Sequence, residues 1–122
     1  YVGIDDSNVK VLESSFVHSD EVVVKLDKHI TKGWENLKQF LVEGVVQIQT
    51  THQVPNFRVA FDNRDSAKLT ANLLAYHLSE EKGFYTVAGV LEVVVVLDEA
   101  DGLWKILEFT LKEKWGRTEK DV

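Results

Sequence analysis

Four histidines and a pair of aspartates are the side chains of this 122-residue chain best suited to moving protons near neutral pH. His77 closes the run LTANLLAYHL, residues 69–78. Strand alternation there places Leu69, Ala71, Leu73, Ala75 and His77 on one face, with Thr70, Asn72, Leu74 and Tyr76 on the other. The histidine thus shares its face with two alanines, which leave room beside it. His52 lies in a second strand-like stretch, THQ. A strand histidine of this kind is either a structural imidazole holding a backbone carbonyl or a working base. On the residues alone both readings stand. His18 in VHSD and His29 in DKHI read as solvated loop residues.

Asp5 and Asp6 precede the first segment of helical periodicity, where one carboxylate is enough to cap a helix and the other is left over. If Asp5 points into the same hollow as a histidine, it can orient an imidazole or a water, and the set becomes an acid and a base. No metal site is expected, because HxxxH and HExxH spacings are absent. Without GxSxG, GxGxxG or a P-loop, acyl transfer and nucleotide chemistry have no support. The chain has no cysteine, which excludes disulfides, thiolate metal sites and thiol catalysis. Glu92 and Glu108 interrupt apolar strands singly and read as exposed positions. Trp34, Trp104 and Trp115 read as packing residues.

The elements that must position these groups follow from periodicity. Residues 8–16 carry Val9, Leu12 and Phe16 at helical spacing, with Ser7 or Asp6 as cap. EVVVKL predicts a strand near 21–26. Thr31 is a plausible cap for a second helix that ends near 43, with Trp34, Leu37, Phe40 and Leu41 on its apolar face. Long strands are then predicted over about 48–61, 66–80, 84–97 and 103–115. The turns DNRD, SEEKG and DEADG would join them as antiparallel neighbours. Pro55 predicts a bulge or an edge position inside the first of them. The expected fold is α+β: one domain over residues 1–122, a cone-shaped curved antiparallel sheet with N-terminal helices on its concave side. VLEVVVVL, residues 90–97, is apolar on both faces, so a second copy is expected on the convex side, giving a homo-oligomer: a dimer, or a trimer.

Composition narrows the partners. An apolar fraction of 44% with 28% charged residues is that of an ordinary globular domain, and the formal charge of −6 argues against nucleic acid. No apolar run of 18 residues and no signal peptide is seen, so no membrane association and a cytoplasmic location are expected. Tyr1 rather than methionine opens the chain, from which a trimmed sequence is expected.

The segment TTHQVPNFRVAFDNRDSAKLTANLLAYHL, followed by GFYTVAGVLEVVVVLDEADGLWKILEFTLKEKWG, resembles a SnoaL-like domain of the nuclear-transport-factor-2 (NTF2)-like superfamily, and IDDSNVKVLESSF resembles its aspartate-bearing first turn. Within that family the pattern is similar to scytalone dehydratase. The resemblance implies an NTF2-like α+β barrel with a mostly apolar cavity for a small hydrophobic molecule and no cofactor. It also implies that His77 and His52 match the proton-handling histidines and Asp5 the aspartate that supports one of them. Ile4, Val24, Ala71, Leu73, Ala75, Leu91 and Val93 would line the cavity.

The departures matter. Where the dehydratase has two tyrosines, this chain offers Ile4 and either Val24 or Lys25, and its serine and asparagine contacts fall near Leu91 and Val93. A lost oxyanion donor costs on the order of 3 kcal/mol. A strict scytalone dehydratase is therefore not expected. The expectation is a dehydratase, isomerase or cyclase of secondary metabolism acting on another small hydrophobic carbonyl compound, set against a non-catalytic module that binds a ligand or dimerises.

Overall fold

The β-branched and aromatic runs become one curved sheet in the computed structural model, which describes residues 8–43, 49–79 and 83–119. In chain order the described elements are α1 (Val9–Ser14), β1 (Val23–Leu26), β2 (His29–Lys32), α2 (Trp34–Glu43), β3 (Gln49–Gln53), β4 (Arg58–Asn63), β5 (Ser66–Ser79), β6 (Gly83–Asp98) and β7 (Leu103–Glu119). The sheet order is β2-β1-β7-β6-β5-β3, and β4 pairs β5 on the side that β3 also uses. All of these pairings are antiparallel except that of β1 with β7.

Curvature has a local cause on β7. Opposite β6, Lys114 stands extra between the pairs Ala88–Trp115 and Gly89–Glu113, and Leu107 stands extra between Val94–Glu108 and Val95–Ile106. Each extra residue is a bulge, which bends its strand and increases the twist. At the first bulge the two backbones approach so closely that a Cβ on Gly89 would lie 2.5 Å from the Lys112 carbonyl oxygen. Only glycine fits there without a shift.

Three local expectations change. The strand predicted over 48–61 is two strands, because Pro55 lacks an N–H for the ladder and Asn56 turns left-handed at φ 57°. The residues Val54–Phe57 face only Ala71–Leu73 on β5, and Asn72 N–H holds the break by donating to the Pro55 carbonyl at 3.2 Å. The first helix is shorter than predicted and begins after Asn8, whose extended backbone and Oδ1, accepting from Val11 N–H at 3.2 Å, make it the cap. Asp6 and Ser7 lie outside the described residues. Thr31 is not a cap but a buried residue of β2, and the chain turns into α2 at Gly33, whose φ is 82° and whose carbonyl accepts from Leu37 N–H.

The helices cover the concave face. Leu12 of α1 and Phe16, just past its end, pack with Leu37 and Leu41 of α2 against Val22 and Val24. A second cluster of Leu73, Ala75, Leu91 and Val93 lies further along β5 and β6, and Ile106 and Phe109 touch both. Past α1 the chain is tied to β7 by two backbone hydrogen bonds, Ile106 N–H to Ser15 O at 2.7 Å and Val17 N–H to Ile106 O at 2.9 Å. On the convex face Val90, Val94 and Val96 are half-buried, Glu92 pairs with Lys112 at 3.2 Å, and Glu108 is exposed.

His18 and His29 do more than sit in loops. His18 is exposed but stacks on Trp34 at 3.9 Å, and its Nε2–H donates to the Glu13 carbonyl at 2.7 Å, linking the end of α1 to the start of α2. His29 opens β2, with its ring 4.9 Å from that of Phe40.

Candidate active site

Register decides which side chains meet. His52 stands opposite Ala75, while His77 stands opposite Thr50 on one side and Tyr85 on the other. Opposed residues share a face, and the buried positions Ala67, Ala71, Leu73 and Ala75 identify that face as the concave one. His52 and His77 are thus diagonal neighbours across β3 and β5, a spacing that long and aromatic side chains bridge. Their ring centroids are 5.9 Å apart with planes at 80°, one edge toward the other.

The Tyr85 ring lies flat on His77, with centroids 4.2 Å apart and planes within 2°. The stack limits rotation of the imidazole, and burial raises the Tyr85 phenol above its ordinary pKa. The tyrosine therefore keeps its proton across the range in which a histidine titrates. Sequence reading missed Tyr85. The signal was available, because an antiparallel β5–β6 pair turning at SEEKG brings His77 and Tyr85 to the same rung.

Two imidazoles at this separation can divide proton transfer, one accepting and one donating. Asp5 and Ile4 fall outside the described residues. Ala71, Leu91 and Val93 line a cavity of about 450 Å³ between α1 and the sheet. Leu73 and Ala75 are buried in the cluster beside it, and Val24 is packed between the sheet and the helices. None of these three is in the cavity wall. Val54, the next inward residue after His52, is part of that wall, as is Phe57, which sequence reading did not single out. Among the described residues no three His, Cys, Asp or Glu side chains come together to hold a metal ion. Among them, too, no helix is long and apolar enough to cross a membrane.

A curved, unclosed sheet with helices on its concave face and an apolar cavity beneath α1 define the class of NTF2-like α+β domains. The chain belongs to the SnoaL-like domain family, which it matches over residues 2–110. It is 29% identical over 118 residues to terrestric acid biosynthesis cluster protein E of Penicillium crustosum, covering 92% of this chain and 75% of that protein. A scytalone dehydratase-like protein of Novosphingobium aromaticivorans superposes with a TM-score of 0.83 at 20% identity, covering 98% of this chain and 80% of the other. A LinA-type hexachlorocyclohexane dehydrochlorinase from Novosphingobium barchaimii gives 0.79 at 19% identity, with 99% and 83% covered. Likeness at these identities establishes the fold.

Proposed function

We propose that this chain is a cofactor-free acid/base enzyme of secondary metabolism, a dehydratase, isomerase or cyclase acting on a small hydrophobic carbonyl compound. The observation that carries this reading is the pairing of His52 with His77 on the concave face, 5.9 Å apart between ring centroids. Family membership supports it, as do the biosynthetic-cluster relative and the dehydratase-like and dehydrochlorinase neighbours.

In the proposed reaction His77 takes a proton from the carbon next to the substrate carbonyl, and the C–H electron pair passes into an enolate. His52, oriented by Asp5, gives a proton to the hydroxyl that leaves as water or, in an isomerisation, to the enolate itself. Tyr85, stacked on His77, holds the base in one orientation. Ala71, Leu91 and Val93 supply apolar contact for the substrate.

The test is turnover of a panel of hydroxy-carbonyl compounds, followed by loss of water and by deuterium uptake from solvent. His77→Gln and His52→Gln should each slow turnover by about 100-fold or more, the usual share of general acid–base catalysis. Unchanged turnover in His77→Gln would remove the base assignment. A second reading, a ligand-binding module without catalysis, is favoured by one observation: among the described residues no histidine or charged side chain lines the cavity. Binding without turnover or deuterium uptake in the unmodified protein is its signature.

A further inference from the structure

The concave face separates the histidines from the cavity. Along β5 and β6 the inward rungs are Leu69–Val93, Ala71–Leu91, Leu73–Gly89, Ala75–Val87 and His77–Tyr85. The cavity touches the first two and reaches Val54 on the β3 side, and His77 lies six residues beyond Ala71, roughly 20 Å along the strand at about 3.3 Å per residue. A molecule that touches Ala71 must therefore be elongated to bring its other end to the histidines. His52 lies nearer, only two residues, roughly 7 Å, from cavity-lining Val54. Leu73 and Ala75, on the rungs between, are 4% and 2% exposed, so other side chains cover that part of the face and the shorter way to a histidine runs from Val54 to His52.

The cavity also says what kind of group it takes. Among the described residues it is lined by no charged side chain, and Ser15 and Thr70 are the only hydroxyl-bearing ones; Thr70 alternates to the other face of β5. A polar ring substituent would lose its water there with little in return. Phe57, on the turn that left-handed Asn56 makes, lines the cavity yet is 60% exposed, which puts it at the rim. Ala71, between Leu69 and Leu73 on the inward face, is the low point of the wall.

We infer that the cavity between α1, Ala71, Leu91 and Phe57 takes a hydrocarbon tail, and that the substrate is an elongated alkyl carbonyl compound with its carbonyl end at His52. The inference rests on the proposed role of the histidines for the placement of that end. The apolar character of the tail follows from the cavity alone.

The experiment is a binding series of straight-chain methyl ketones from butanone to undecanone, read by calorimetry and ligand-detected NMR on the unmodified protein and on His52→Gln. Affinity should rise about fourfold per added methylene until the cavity is full, then level off. Ala71→Leu should bring the levelling point to shorter chains by about three carbons, the number that leucine adds. Ala71→Val should do so by about two, and serves where the larger side chain lowers the melting temperature. A flat series, or a cyclic ketone of equal carbon number binding as tightly as the linear one, overturns the inference. The two readings fail separately. Turnover that survives His52→Gln while the length series persists removes the acid–base assignment alone, and turnover that depends on His52 with a flat series removes the tail alone.

Discussion

Tyr85 shows what a single residue adds to the histidine pair. Its ring covers His77, and burial raises its phenol pKa. In the unfolded chain a tyrosine ionises near pH 10. The folded protein holds this proton to higher pH, so the associated stability is complete below about pH 10 and is lost as pH rises through the raised folded value. Melting temperature should therefore fall more steeply between about pH 9 and about pH 11 in the unmodified protein than in Tyr85→Phe, which keeps the stack but cannot ionise. Equal slopes in the two proteins would mean that burial does not hold the proton. At this scale the sequence was readable wherever alternation alone decided a side: His52, His77 and Ala71 all face the concave side as the pattern predicts. Tyr85 was not, because its importance comes from the rung it shares across a hairpin, which no single strand displays.

Elements were legible where they were long. The predicted strands over 66–80 and 84–97 correspond to β5 and β6 within about two residues, since long runs of apolar and β-branched residues bounded by turn signals outweigh local noise. Short elements were not. HITK holds a lysine and a histidine in four residues, and β2 exists because β1 pairs with it and Thr31 is buried beneath α2. The bulges of β7 were equally invisible, since an extra residue in one strand is defined only against its partner. Gly89 marks one of them in the sequence, and its substitution measures how much the bend depends on close approach. Gly89→Ala would set a methyl against the Lys112 carbonyl and the Leu111 side chain, at a cost of about 1–3 kcal/mol in urea unfolding. A loss below a few tenths of a kcal/mol would mean that β7 moves aside freely.

For the whole molecule, the order of helices first and a long meander afterwards was sufficient to read an α+β fold with helices on the concave side. The resemblance carried by residues 50–78 and 83–116 pointed to the family to which the chain belongs. What sequence could not supply was the offset between the cavity and the histidines, which depends on which rungs the side chains of α1 cover. That offset gives the two hydrogen bonds at Ile106 a consequence for solution behaviour. Leu12, Ser15 and Phe16 are at once a wall of the cavity and the stretch of chain tied to β7 through Ile106 N–H and Val17 N–H. A tail bound beneath them adds its binding free energy to every opening that must expel it. The amides of Ile106 and Val17 should then exchange with deuterated solvent more slowly as undecanone is added, by a factor that grows with its concentration, while the Ala100 amide in the β6–β7 turn keeps its rate. Slowing at all three alike would place the ligand elsewhere. Two backbone protons thus become gauges of occupancy that require neither a chromophore nor a reaction.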